Sequence, residues 1–596
     1  MDLPVGLVHL IIHLPVILAP SLATYVLLRH GAFLFYPSFD PPHVVAILTS
    51  LIATPIFFLL SSLWSTLTNS RSAAARGTVI APYVQSDFLG LSNVRKIVQS
   101  FKDGYPGDVF LDWIKDYGNT YSLKMLAEHR MVTIEPDHIK AILATQFDDF
   151  AKGPILFSQL SSLLGTGVFN SDAERWKFHR SMTRPFFSKE RIAHFDIFDR
   201  HATDALNQAQ ARLNEGYPID FQDMVSRFTL DSATEFLFGK DVKSLSAGLP
   251  YPSSSPLAAS TLSNHPANIF AEAFMEGQYL TALRTRYGPH WPLFEWTDRI
   301  KPYRDIVNRF IDPIIEDALL KAHNAGDAGD VETDAKSLSE DETLLSHLIK
   351  MTQDHQIIQD EILNIMIAGR DTTATTLTYS VYMLSQHPKV LAKLRAEVLE
   401  KVGSSRRPTF DDMREMKYLR AFVNEVLRLY PAVPFNSRTA KRDTILQAKG
   451  AGAQAYFVPK GTRVVYGVFL MHRRQDLWGP DALEFDPDRF LDDRLNKYLT
   501  PNPFIFVPFN AGPRICLGQQ FAYHEASFFL VRLLQRFSGF SLAPDVQPAS
   551  SRPPASWASR EGSQGKEKIV PGTHLTMYAR EGLWVRMDEE KLERMI

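Results

Sequence analysis

Two stretches near the start of the chain, residues 3–28 and 41–70, contain no Lys, Arg, Asp or Glu. A bilayer core asks for about 20 apolar residues in a helix. Residues 44–64 are densely apolar and meet this, with Pro55 inside the run. The earlier stretch meets it on length, but Pro4, Pro15 and Pro20 make it the poorer helix. Neither run is amphipathic, which favours a membrane anchor over a buried core hairpin. The one early charge is Asp2, whereas a secretory signal begins with a basic region, and Ala73-Ala74-Ala75 lies too far along for a cleavage site. Arg71 and Arg76 follow the second run, so the positive-inside tendency puts them and the rest of the chain in the cytosol. If both segments span, the N-terminus is cytosolic; if only the second spans, it is lumenal.

From residue 77 the pattern changes to that of one large soluble unit, giving two regions: anchor and linker over 1–76, and a single domain over 77–596. Helical periodicity dominates, as over 196–214, 355–386 and 415–429, and short strand-like runs such as 461–468 are a minority. The expected class is mainly α with small β-sheets (α+β), preceded by one or two transmembrane helices. No solenoid period is visible. Residues 244–263, 325–342 and 547–572 are rich in polar residues, Pro, Ser or Gly, and read as solvated insertions.

Composition narrows the chemistry. The 596 residues are 45% hydrophobic with a formal net charge of -2, which argues against a nucleic-acid binder. One Cys in the whole chain allows neither an internal disulfide nor a Cys-rich zinc site. A lone Cys is usually an inert buried residue, but the surroundings of this one say otherwise.

That Cys sits in Phe509-Asn510-Ala511-Gly512-Pro513-Arg514-Ile515-Cys516-Leu517-Gly518, just ahead of a helical pattern over 519–537. A glycine-punctuated loop therefore delivers Cys516 to a helix N-terminus, where backbone N–H groups and the positive helix end favour a thiolate. Gly512 and Gly518 suit close approach of backbone to a flat cofactor. A second group is Ala368-Gly369-Arg370-Asp371-Thr372-Thr373, midway along a helix over 355–386 that is about 48 Å long at 1.5 Å per residue. Gly and Thr are poor residues for a helix interior, and Thr hydroxyls bond back to carbonyls and bend helices. On its own this reads equally as a solvated Asp among structural threonines. A third is Glu425-Val426-Leu427-Arg428, whose charges share a helix face, followed by Phe485-Asp486-Pro487-Asp488-Arg489-Phe490. A fourth is Trp176-Lys177-Phe178-His179-Arg180, in which Trp176 and Arg180 point the same way. No Rossmann-type glycine fingerprint follows a strand.

Taken in order, these motifs resemble the cytochrome P450 family over roughly residues 107–542. The stretches 169–187 and 509–522 look most like fungal members that hydroxylate n-alkanes and fatty acids. The resemblance implies the P450 fold and a haem b (iron protoporphyrin IX) held by Cys516, in a loop marked by Phe509, Gly512, Arg514 and Gly518. A thiolate on haem iron favours O–O cleavage. Trp176, Arg180, Arg438 and Arg514 are then partners of the haem propionates, since two carboxylates in a dry pocket need donors. Asp371 and Thr372 match the acid–alcohol pair that relays protons to dioxygen. Glu425, Arg428 and Arg489 form a structural triad behind the haem. Phe157, Leu160, Leu163, Leu164 and Ala368 are candidate substrate contacts, with core packing the alternative for the first four. One departure concerns Ala368: animal fatty-acid omega-hydroxylases often carry there a Glu that esterifies the haem, so no such link is expected.

The implied reaction is hydroxylation of a hydrophobic substrate, a long-chain fatty acid or n-alkane, with one atom of O2. Electrons would come from NADPH through a separate cytochrome P450 reductase, with cytochrome b5 as a further candidate donor. The basic residues Lys177, Arg184, Lys189 and Arg191 could meet an acidic flavin domain. The expected setting is a monomer in the endoplasmic reticulum membrane with its catalytic domain facing the cytosol. Two alternatives stay open: a haem-thiolate isomerase or dehydratase acting on a peroxide without a reductase, and a non-catalytic haem-binding membrane protein. Neither needs Asp371 and Thr372.

Overall fold

The computed structural model describes residues 3–31, 41–87, 89–126, 128–187, 195–258, 265–326, 342–449 and 454–589. Both charge-free stretches are helical, over Val5–Val26 and His43–Ala75. They pack as an antiparallel pair, with Ser21 and Thr54 hydroxyls 2.7 Å apart. Each is long and apolar enough to cross a membrane and is largely unburied by protein. The prolines do not break the first helix, contrary to the expectation from Pro15 and Pro20. Thr24 donates to the Pro20 carbonyl at 2.8 Å, and Thr54 of the neighbouring helix donates to the Ile17 carbonyl at 3.2 Å. Side-chain donors of this kind add support to a helix weakened by proline. The start of the first helix is pinned to the catalytic domain: the Gly6 N–H donates to the Trp296 carbonyl at 3.0 Å, and a Cβ on Gly6 would lie 2.7 Å from the Trp296 ring. Both ends of the hairpin therefore lie at the same end, against the domain.

The domain is mainly helical with small sheets. Its centre is the long helix His355–Gln386, which begins on an Asp354 cap and stops before His387-Pro388. It packs against Phe221–Phe238 on one side and Gln519–Arg536 on another. Residues 358–367 and 373–384 of this helix are buried throughout, so tertiary packing overrides the poor propensity of its threonines. The largest sheet has five strands in the order Thr120–Met125, Glu128–Thr133, Arg463–Gly467, Phe435–Ala440, Phe150–Ala151.

Two segments differ from the sequence expectation. Helix 415–429 is two helices, Phe410–Glu415 and Lys417–Leu429, because Met416 leaves the helical region with ψ 81°. Residues 547–572 are solvated along much of their length, with 554–556 and 558–561 exposed, but are anchored to the core at several points. Trp557, Ile569 and Val570 join the main core, and the Glu567 carboxylate accepts from the hydroxyls of Tyr105, Tyr382 and Tyr430 at 2.9–3.2 Å. The buried Glu567 carboxylate is thus satisfied by protein hydroxyls rather than by water. Within the insertion over 244–263, Ser244 and Leu245 are also buried, their N–H groups donating to Asp231. Residues 327–341, most of the third insertion, lie outside the described residues.

Candidate active site

One cavity of about 520 Å³ reaches from the Cys516 loop to the middle of the long helix. The loop turns twice through the left-handed region, at Asn510 (φ 64°) and Gly512 (φ 65°). Gly512 is required there for a second reason: a Cβ would lie 1.9 Å from the Leu143 carbonyl oxygen. The close approach at Gly512 is thus to protein backbone, not to the cavity. Gly518 meets no such obstruction and lines the cavity as the N-cap of Gln519–Arg536. The Cys516 N–H donates to the Phe509 carbonyl at 3.0 Å, and Phe509 packs on Tyr523. Cys516 opens on the cavity. Its thiol is pushed up by burial, against the opposing pull of the Gly518 N–H and Arg180. Both of these pull toward the thiolate, and coordination to a metal ion deprotonates a thiol outright.

Around the loop stands a group of cations with too few anions. Arg514 donates to Asp172 at 2.8 Å and lies over the Trp176 ring at 4.5 Å. Arg180 donates to the Ile515 carbonyl at 3.0 Å. Arg438 donates only to Asn436 and to the Ser437 carbonyl. Lys152 donates to the Phe169 carbonyl. Burial, together with Arg438 and Arg514, holds Lys152 well below its ordinary value, and burial and Arg438 lower Arg514 to about 10. Lys152, Arg180, Arg438 and Arg514 all line the cavity, and Asp172, beside Arg514, is the one carboxylate that pairs with any of them among the described residues, so two further carboxylates would relieve them. That is the charge of a haem's two propionates, so the residues present fit this group.

On the long helix, Ala368, Gly369, Thr372 and Thr373 line the cavity. Thr372 donates back to the Ala368 carbonyl at 2.6 Å. Asp371 does not line it: its carboxylate accepts from Gln278 at 2.7 Å and from Arg370 at 2.9 Å. Among the proposed substrate contacts, Leu160, Leu164 and Ala368 line the cavity, and Phe157 and Leu163 do not. Leu163 instead faces Gly277, where a Cβ would lie 3.1 Å from its side chain. Leu156, one turn before Leu160, takes the place expected of Phe157.

The triad is assembled and fully buried. Arg428 makes two bonds to Glu425 at 2.7 and 2.8 Å, and Arg489 reaches the same carboxylate at 3.6 Å. Arg428 also donates to the carbonyls of His472, Ala482 and Glu484.

The P450 family model matches residues 90–561. This chain belongs to the cytochrome P450 family. Among its curated relatives are several fungal P450s. It is 37% identical to Cytochrome P450 52A3-A of Candida maltosa over 78% of this chain and 87% of that one. It is 34% identical to Cytochrome P450 52A6 of Candida tropicalis over 92% and 98%, and 36% identical to Cytochrome P450 monooxygenase himC of Aspergillus japonicus over 79% and 80%. Membership makes this P450 an oxidoreductase of the monooxygenase kind, using a haem-thiolate cofactor, dioxygen and a hydrophobic substrate.

One residue of this P450 carried no sequence signal. Glu525, on the helix that follows Cys516, is wholly buried and faces Thr373, and burial raises its carboxyl well above the ordinary range. A group whose folded pKa lies above its unfolded one stabilises the fold below the unfolded value and loses that contribution as pH rises through the folded value. Glu525→Gln is therefore expected to flatten the alkaline side of the stability–pH curve with little change at pH 5. Thermal melts of both proteins from pH 5 to pH 9 check this.

Proposed function

We propose that this P450 hydroxylates the hydrocarbon chain of a long-chain fatty acid or n-alkane, with Cys516 as the residue that would hold the iron of a haem b. The single observation that carries it is the juxtaposition of Cys516 and Thr372 on one cavity whose wall is otherwise mostly apolar. Haem bound there supplies reductive activation of dioxygen and insertion of one oxygen atom into a C–H bond. Arg438, Arg514, Arg180 and Lys152 would hold the two propionates, and Trp176 stacks beneath Arg514. Leu156, Leu160 and Leu164 keep water from the chain and orient it. The Thr372 hydroxyl is placed to hand a proton toward the cavity. Asp371 takes part only after releasing Gln278 or Arg370, and this release sets the timing of proton entry.

Electrons come from NADPH through a separate reductase, which supports a docking face around the exposed Lys177 and Arg184. Lys177 is already paired with Glu174 at 2.7 Å, and Lys189 and Arg191 lie outside the described residues. The hairpin supports an endoplasmic reticulum anchor with both ends cytosolic, over residues 1–76, and a monomeric catalytic domain over 77–596. The test is product analysis with reductase, NADPH, and fatty acids or alkanes of 12–18 carbons (roughly the chain lengths an apolar pocket of a few hundred Å³ accommodates). Hydroxylated chain formed only with reductase and NADPH is the expected result. Conversion of a lipid peroxide without reductase, and no NADPH-dependent product, would instead establish the isomerase reading.

A further inference from the structure

Away from Cys516, the same cavity wall carries four arginines, Arg130, Arg286, Arg463 and Arg580, the last of which donates to the Phe101 and Gly104 carbonyls. Arg130 and Arg463 lie opposite one another on neighbouring parallel strands. Arg286 is in the last turn of the helix Pro266–Tyr287. Glu128 is the carboxylate that Arg130 and Arg463 share. It pairs with Arg130 at 2.7 Å and stands 3.9 Å from Arg463. Arg463 is 4% exposed; its Nε and Nη2 donate to Ser437 and Gln159, and its Nη1 has no hydrogen-bond partner. Arg286 donates to the Ala282 carbonyl and to Thr285, and its guanidinium lies 4.0 Å over the Phe101 ring. No carboxylate pairs with it among the described residues.

Four guanidinium groups and the one carboxylate of Glu128 leave an excess of positive charge in a largely apolar wall. Such charges are costly unless they are paired. A ring face compensates only in part. Burial and the neighbouring arginines lower Arg286 to about 10 and Arg463 to about 9, so both still carry their charge at neutral pH. Tyr279 and Tyr578 stand near Arg286, but burial raises both phenols, so neither supplies an anion. The surrounding wall includes Ile97, Leu123, Met125, Leu156 and Leu160. A ligand that satisfies both halves of this wall is an apolar chain with one anionic end. A planar guanidinium matches a carboxylate through two parallel bonds.

We propose that Arg286, with Arg463 and Arg130, forms an anion site that takes the carboxylate of a long-chain acid and so selects acids over hydrocarbons. This rests on the reading of the cavity as a chain-hydroxylation site. The site also lies on the side of the domain that bears the anchor. A Cβ on Gly288 would lie 3.0 Å from Glu128 and 3.4 Å from Arg130, and Gly288 opens the turn Gly288–Leu293 on which the first anchor helix packs. An acid leaving the bilayer surface meets the arginines with its head group.

The test uses the full-length haem-loaded protein in detergent. Affinities for hexadecanoate, methyl hexadecanoate and hexadecane are read from the spin-state shift that follows displacement of the iron-bound water. Arg286→Gln is expected to weaken hexadecanoate by about tenfold or more, the worth of a charged hydrogen bond. The ester and the hydrocarbon should stay within about twofold, the scatter of an exchange that touches no charged contact. Arg286→Lys should retain most of the acid affinity, and the reduced carbon monoxide spectrum shows that each variant is folded. An unchanged acid affinity, or an equal loss for all three ligands, overturns the anion site and leaves the chain-hydroxylation reading standing. Preference for hexadecyl phosphate over the acid overturns the carboxylate assignment. If none of the ligands shifts the wild-type spectrum, both readings fall.

Discussion

Replacing Cys516 with Ser removes turnover and the red-shifted Soret band of the reduced carbon monoxide complex, while the protein stays folded. The loop does not depend on sulfur for its shape. It is held by the Cys516 N–H bond to Phe509, by Tyr466 on Asn510 and by Arg514 on Asp172, all of which a serine leaves in place. The chain has no second thiol to substitute for the first. Groups that merely support a metal ligand are worth about 10–100-fold in activity, so loss of the ligand itself exceeds that range. Far-ultraviolet circular dichroism should overlay the wild type. Unchanged turnover in the serine variant would falsify the assignment of Cys516.

The second large effect falls on folding. Arg428→Ala leaves the Glu425 carboxylate in a site with no exposure, with the Asp486 N–H at 2.9 Å and the more distant Arg489 in place of its bidentate partner. Breaking one partner out of a buried ion pair costs about 3–5 kcal/mol. Whole domains are stable by only about 5–15 kcal/mol. Three carbonyl oxygens, of His472, Ala482 and Glu484, lose their donor as well. The expected result is a large drop in soluble, haem-loaded protein and in melting temperature. Arg428→Lys is expected to rescue little, because a point charge cannot make the two parallel bonds that Arg428 makes to Glu425. Wild-type yield and melting temperature in Arg428→Ala would show that this group is not a structural centre.

What was legible in the chain is what local spacing dictates. Trp176 and Arg180 share one face because they are one helical turn apart, and Glu425 and Arg428 meet for the same reason. The Cys516 loop announces itself through residues adjacent in sequence. The unread parts depend on partners far away in the chain. Asp371 faces away from the cavity because Gln278, on another helix, takes its carboxylate. Phe157 and Leu156 differ by one place on a helix, and only the packing of that helix decides which side chain reaches the cavity. Glu567 sits in a stretch whose composition suggests solvent, yet three tyrosines from distant elements enclose it. The arginines at 130, 286 and 463 converge only once the sheet and the helix Pro266–Tyr287 are in place.

The bond between Gly6 and Trp296 has a mechanical consequence. A head on a single stalk is free to swivel about it. This head is tethered twice, at residue 75 where the second helix ends and again at residue 6, so its azimuth and tilt against the lipid are locked. Cutting away the first helix alone would restore the swivel while leaving the protein in the membrane, and chain-length or positional selectivity should blur without any change to the cavity wall.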